Sequence, residues 1–127
     1  VLTFTGFRND RVAVLRDVDI LVHAAEREPF GRAIAEAMAM RVPVVAVNRA
    51  GPAELIRDGT TGRLTEPTAA ALAEAAEALV RKPDTARAMG AAARTRILAA
   101  FNIADRVRSV EAVYDRVLAE HAATGGA

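Results

Sequence analysis

Residues 19–47, DILVHAAEREPFGRAIAEAMAMRVPVVAV, decide the fold that this sequence predicts. Two apolar runs, residues 19–23 and 43–47, are typical of strands that are buried on both faces. Between them, residues 30–40 have apolar side chains at helical spacing, which predicts a helix whose buried face carries Ile34, Ala37 and Met38. A strand, a helix and a second strand in this order favour two parallel strands joined by a crossover helix.

The rest of the chain continues the alternation of strands and helices and then becomes helical. Turn residues and caps predict a strand at residues 1–4, a helix at about 11–16 capped by Asp10, a short helix at 53–57 and a very short strand at 63–65. Three further helices are predicted over about 68–82, 84–100 and 103–121, with Thr68 and Asp84 as the first two caps. The last helix carries an apolar stripe at Val107, Val110, Val113, Tyr114 and Val117.

The order of these elements predicts the fold class. We expect an α/β fold, a Rossmann-like parallel sheet with helices on both faces and a helical C-terminal tail, in one domain over residues 1–127. Ligands of such sheets bind at the carboxyl ends of the strands. The loops after His23 and after Val47 lie at that edge, so we expect the functional site there.

Composition excludes several classes of function. The chain has 127 residues, a net charge of +1 and no cysteine, so we expect no nucleic-acid partner, no disulfide and no thiolate chemistry. No apolar run has the length of a membrane span and no signal peptide is visible, which fits a cytoplasmic protein. The first residues already have strand character without an initial methionine, so we expect a piece of a longer protein.

The predicted helix at residues 30–40 begins with features of a ligand site. Its first amides lack partners inside the helix and carry the positive end of the helix dipole, which suits a phosphate or diphosphate. Gly31 has no side chain to keep a ligand away from the backbone. Glu28 precedes this helix end and Glu36 follows it, and a carboxylate accepts strong hydrogen bonds from hydroxyl groups. The combination indicates a nucleotide sugar.

Simpler interpretations of the same residues stay open at this point. Glu28 could cap the helix, and Glu36 could pair with Arg32 at i, i+4 on the surface. Phe30 could pack under the helix as a hydrophobic staple.

A longer set of motifs adds a resemblance. In order, the chain shows an aspartate-led strand ending in VHA, then EPFGR, EAMA, PVVA, GPAE and DGTTG. These motifs resemble the C-terminal domain of retaining glycosyltransferases of family four, which have the two-domain GT-B fold. The likeness covers nearly the whole chain and includes the paired glutamates, separated by seven residues, that grip the donor in that family.

The resemblance implies roles at the sugar and diphosphate end of the site. Glu28 would be the catalytic residue. The hydroxyls of the donor sugar would be held by Glu28 and by the amides of Phe30, Gly31 and Arg32. The amides of Arg32 and Ala33 would meet the diphosphate.

The resemblance also implies roles at the nucleoside end. Glu36 would bind the ribose hydroxyls, and the loop at Phe7 and Arg8 would lie along the base. The family needs neither a catalytic metal nor a cofactor, and His23 and His121 stand far apart in the chain without partners at metal-ligand spacing. We interpret His23 as a strand-end residue near the donor cleft.

By the same resemblance, the complete enzyme would transfer a sugar from a nucleotide-diphosphate sugar to an acceptor hydroxyl with retention of anomeric configuration. The acceptor, a glycan, a lipid or a small molecule, is not specified, and its site would lie in an N-terminal Rossmann domain that precedes Val1. Alone, this chain is expected to be inactive and to self-associate, because the last helix crosses toward that domain in two-domain relatives. A peripheral location at the inner face of the membrane stays open for the complete enzyme.

Two other functions compete with this hypothesis. One is a non-catalytic domain of the same fold that binds a sugar nucleotide or regulates an enzyme. The other is a phosphorylase or an epimerase of the same architecture. The chain also departs from the family pattern at Arg41 and Ala50, where glycine is usual, and at Ala25, where serine is usual. At the end of a helix, a residue with positive φ is most often glycine.

Overall fold

The computed structural model of the chain describes residues 2–123; residue 1 and residues 124–127 lie outside that range. The elements, in chain order, are α1 (Arg11–Arg16), β1 (Leu21–His23), α2 (Arg32–Ala39), β2 (Val44–Val47), α3 (Ala50–Leu55), β3 (Arg63–Thr65), α4 (Ala69–Val80), α5 (Pro83–Ala100) and α6 (Ile103–Ala123).

The described strands form one parallel sheet in the order β1-β2-β3. The central strand, β2, is buried along its whole length. Its residues alternate between the two faces of the sheet, as the pleat requires. Val44 and Ala46 pack against α2, α3 and the second half of α5, whereas Val45 and Val47 pack against α4 and the first half of α5. The α/β fold with a parallel sheet covered by helices on both faces is therefore confirmed.

The predicted core of α2 is also confirmed, because Ile34, Ala37 and Met38 have no solvent-accessible surface. Thr68 caps α4 as predicted, since its hydroxyl oxygen accepts a hydrogen bond of 3.2 Å from the amide of Ala71. The strand predicted at residues 63–65 is β3.

Three local predictions were wrong. Residues 2–4 form no strand, because no neighbouring strand pairs with them in the described part of the chain; Val1 lies outside it. Asp10 does not cap α1 with its side chain, which pairs with Arg8 instead. Asp84 lies inside the first turn of α5, which begins one residue earlier, at Pro83, where proline is well tolerated.

Two predicted burial patterns also differ from the structure. The strand predicted at residues 19–23 is shorter, and Val22 in β1 is half-exposed, because β1 lies at the edge of the described sheet. The helical C-terminal tail is confirmed as α6, but none of its residues is buried. Within residues 2–123, no helix has both the length and the apolar character needed to cross a membrane.

Candidate functional site

The candidate site is built around the turn at residues 28–31, which connects β1 to α2 at the carboxyl edge of the sheet. Gly31 is the N-cap of α2 and has φ of 98°, a left-handed conformation that few side chains tolerate. A Cβ atom at Gly31 would also lie 3.1 Å from Ile34 and 3.2 Å from Leu55. From the sequence, Gly31 is expected to let a ligand approach the backbone closely. The structure shows that its left-handed conformation and its close neighbours also favour glycine.

The Glu28 carboxylate lies over the end of α2. Its Oε1 atom accepts hydrogen bonds from the amide of Gly31 at 2.8 Å and from the amide of Phe30 at 3.3 Å. Its Oε2 atom lies 3.6 Å from Nε2 of His23. Glu28 therefore binds two amides of the turn, which were expected to face the sugar, and does not cap α2 by binding an amide of the helix itself.

The turn is held in place by α3. The amide of Gly51 donates a 3.0 Å hydrogen bond to the backbone carbonyl of Glu28. A Cβ atom at Gly51 would lie 2.4 Å from the carbonyl oxygen of Phe30, so only glycine permits this close approach. The ring of Phe30 makes an edge contact with Phe101, with ring centres 5.9 Å apart. Phe30 is 41% exposed and contacts Phe101, which follows α5, so the structure does not show the staple within α2; α3 supports the turn through Gly51.

The first amides of α2 that remain available belong to Arg32 and Ala33. The amide of Ala35 donates to the carbonyl of Gly31 at 2.9 Å and begins the hydrogen-bond series of the helix. Arg32 and Ala33 precede that point and are both exposed. Their amides can therefore receive an anion at the positive end of the helix dipole.

Glu36 lies one turn further along α2 and is held by arginines. Its Oε1 atom lies 2.9 Å from Nη1 of Arg11 in α1 and 4.0 Å from Nη2 of Arg32. The surface pairing of Glu36 with Arg32 that the sequence allowed is present, but its distance of 4.0 Å is the longest that counts as an ion pair. The stronger partner, Arg11, was missed, because it is 25 residues away and no local pattern signals it.

A cavity of about 170 Å³ opens between α1 and α2 beside Glu36. It is lined by Arg8, Arg11, Val14, Leu15, Leu21, Ala33 and Glu36. The structure therefore brings Arg8, expected near the base, together with Glu36, expected at the ribose, and with Ala33, expected at the diphosphate; the roles themselves stay predictions. Phe7 is 90% exposed and is not part of this lining.

Arg8 pairs with Asp10 at the rim of this cavity. Its guanidinium donates from Nε to Oδ1 of Asp10 at 2.7 Å and makes a second bond from Nη2 to Oδ2. These hydrogen bonds lower the pKa of Asp10 and raise the pKa of Arg8 from their ordinary values. The pair keeps both groups charged, although the sequence placed Asp10 at the helix cap.

The described residues bring no metal-binding cluster together. In residues 2–123, no group of three or more histidine, aspartate or glutamate side chains could hold a metal ion. The expectation that the site works without a metal or a cofactor stays a prediction.

A parallel sheet with an open helix N-terminus at its carboxyl edge, flanked by two carboxylates, defines an α/β domain of the class whose ligands bind at that edge. Residues 1–96 match the family described as glycosyl transferases group 1, and the chain belongs to this family. Its structural neighbours are GT-B glycosyltransferases, and the match to the C-terminal part of that fold confirms the resemblance seen in the sequence.

Individual relatives cover most of this chain. The alpha-1,3/1,6-mannosyltransferase ALG2 of Homo sapiens is 36% identical over 92 residues, 72% of this chain. The alpha-maltose-1-phosphate synthase of Mycolicibacterium smegmatis is 36% identical over 113 residues, 84% of this chain. The chain spans only 22% and 29% of these two relatives, respectively.

A solved structure agrees closely in backbone. Anabaena HepE, in complex with UDP and glucose, superposes with a TM-score of 0.85 and 28% identity. The superposition covers 90% of this chain and 32% of HepE.

Proposed function

We propose that this chain is the donor-binding part of a retaining glycosyltransferase, which transfers a sugar from a nucleotide-diphosphate sugar to an acceptor hydroxyl. The observation that carries the proposal is the position of Glu28 and Glu36 on either side of the amides of Arg32 and Ala33, two exposed residues in the first turn of α2. A ligand whose anionic group binds these amides would extend toward Glu28 on one side and toward Glu36 on the other. A diphosphate with a sugar on one side and a ribose on the other has that distribution of charge and hydroxyl groups.

The residues act on different parts of the donor in this proposal. Glu28 faces the sugar, the amides of Arg32 and Ala33 face the diphosphate, and Glu36 faces the ribose. Because negative charge builds up on the departing diphosphate, oriented amides at that point stabilise the transition state. The complex of Anabaena HepE with UDP and glucose supports a nucleotide sugar as the donor class.

The cavity beside Glu36 is proposed to receive the nucleoside end of the donor. Arg8 at its rim is proposed to lie along the base, together with the exposed Phe7. The chain covers under a third of its relatives, and the acceptor site is proposed to lie in an N-terminal Rossmann domain. Retention of the anomeric configuration is proposed from the resemblance to the family. The cytoplasmic location stays a prediction.

The ribose contact is tested by Glu36→Ala in the complete protein. A carboxylate that binds ribose through hydrogen bonds to a charged group contributes about 1.5–3 kcal/mol for each bond. Glu36→Ala should weaken UDP binding at least about tenfold in calorimetric titration. Glu74→Ala, an exposed glutamate on α4, is the matched control and should leave the affinity unchanged.

A second control separates the ribose contact from the ion pair. Arg11→Ala removes the partner of Glu36 but leaves its carboxylate in place; because Arg11 also lines the cavity proposed for the nucleoside, its loss should weaken UDP binding, but clearly less than Glu36→Ala does. If Glu36→Ala and Arg11→Ala weaken UDP binding equally, or if neither does, Glu36 is a surface ion-pair residue and not a ribose ligand.

The sugar contact is tested by Glu28→Gln. Glutamine keeps a side-chain oxygen that can accept from the Gly31 amide, so the turn should survive while the negative charge is lost. Turnover of the donor should fall about tenfold or more, whereas affinity for UDP alone should stay nearly unchanged. An equal loss of turnover and of UDP affinity would show that Glu28 serves the turn and not the sugar.

A further inference from the structure

His23 is a nearly buried titratable residue that the proposed mechanism does not use. It is the last residue of β1, and its side chain is 15% exposed. Its Nδ1 atom is buried and has no hydrogen-bond partner within residues 2–123. Its Nε2 atom lies 3.6 Å from Oε2 of Glu28.

These surroundings select one tautomer of the imidazole ring. In the neutral ring, one nitrogen carries the proton and the other accepts hydrogen bonds. A proton on Nδ1 would be a buried donor without an acceptor, which native proteins rarely contain, whereas an unpaired acceptor is better tolerated. The proton therefore belongs on Nε2, where it points toward the Glu28 carboxylate.

Glu28 then has a donor facing each of its oxygens. The amides of Phe30 and Gly31 hold Oε1, and the Nε2–H group of His23 faces Oε2. The distance of 3.6 Å exceeds that of a formed hydrogen bond, but hydrogen bonds in active sites are often long without substrate and shorten in its presence.

We infer that His23 is a positioning residue that fixes the orientation of Glu28 through an Nε2–H group. This inference rests on the proposed contact between Glu28 and the donor sugar. Two substitutions separate positioning from simple packing. His23→Gln places an amide donor near the position of Nε2, whereas the shorter His23→Asn places its donor near the position of Nδ1, out of reach of Glu28.

The first test is nuclear magnetic resonance of the complete protein, selectively labelled with ¹⁵N-histidine and ¹⁵N-glycine. The His23 signals, identified by their loss in His23→Gln, should show a protonated Nε2. The Gly31 amide, which donates to Glu28, should keep its resonance in His23→Gln and move in His23→Asn. A protonated Nδ1, or a Gly31 resonance that is the same in both variants, would overturn the inference.

The second test uses UDP and UDP-glucose as probes. His23→Asn should lower kcat for UDP-glucose by about 10- to 100-fold through misplacement of Glu28, with UDP affinity unchanged, and His23→Gln should restore most of kcat. Equal losses in both variants, together with a lower melting temperature, would contradict positioning. The expected resonance pattern in a protein that binds neither these probes nor other nucleoside diphosphates and their sugars would support the His23–Glu28 contact and contradict the proposed function alone.

Discussion

Arg41 and Ala50 adopt left-handed backbone conformations, with φ of 64° and 45°. By the resemblance, the family usually has glycine at both positions. The chain therefore departs from the family pattern at positions where its backbone adopts a conformation that favours glycine. Arg41 follows the end of α2, and a Cβ atom at Gly90 would lie 2.1 Å from its carbonyl oxygen. The tight packing of α5 against this turn therefore holds Arg41 in a conformation that a side chain disfavours.

Arg41→Gly should stabilise the protein by about 0.5–1 kcal/mol. The left-handed conformation costs a residue with a Cβ atom about 1–2 kcal/mol, and the greater freedom of glycine in the unfolded chain offsets part of that gain. Urea denaturation of the purified protein measures the difference. Arg41→Ala keeps the Cβ atom and should give no gain, so equal stabilities of the two variants would refute the explanation.

Helix α5 joins the elements that carry the site. Arg94 donates to the carbonyl oxygen of Ala39, in the last turn of α2. Arg96 donates to the carbonyl oxygens of Glu54 and Leu55 at the end of α3, each at 2.7 Å. Both arginines place positive charge at the negative end of a helix dipole. Because α3 supports the Glu28 turn through Gly51, the position of the site depends on this helix.

Arg96→Leu should destabilise the protein by about 2 kcal/mol, since hydrogen bonds from a charged group are among the stronger ones and two carbonyls of α3 lose their partner. Arg87→Leu is the matched control on the same helix, because Arg87 forms an exposed pair with Asp84, and it should change stability by less than about 0.5 kcal/mol. Thermal and urea unfolding give both values. Equal effects would mean that the contacts of Arg96 contribute no more than a surface pair.

At the scale of the whole molecule, the core covers both faces of the sheet but does not extend to α6. The stripe predicted on this helix is present, yet its residues remain 46–66% exposed; they are Val107, Val110, Val113, Tyr114 and Val117. A continuous apolar stripe of this kind commonly marks an interaction surface. The resemblance implies that this helix docks on an N-terminal domain, and the exposed stripe is available for that contact.

The 127-residue chain alone should therefore self-associate and bind a nucleotide sugar weakly or not at all. Burial of apolar surface contributes about 25 cal/mol per Å², so a few hundred Å² favour association before its entropic cost is counted. Sedimentation at several concentrations, with and without UDP-glucose, measures both properties.

Charge on the stripe provides the control for this prediction. Combining Val110→Glu with Val117→Glu should abolish association, whereas Ala112→Glu, on the opposite side of α6, should not. A monomer with micromolar affinity for UDP-glucose would contradict both parts.

The amino-acid sequence alone determined the parallel α/β fold, the buried face of α2, the cap of α4 and the placement of Glu28 and Glu36 about the start of a helix. These features depend on periodicity, caps and turn residues, which act over a few neighbours in the chain. Only the tertiary structure decided that residues 2–4 form no strand, that Arg11 pairs with Glu36 and that α6 stays uncovered. It also brought His23 to Glu28. Each of these outcomes depends on which distant elements lie beside a residue, and a local pattern carries no information about that neighbour.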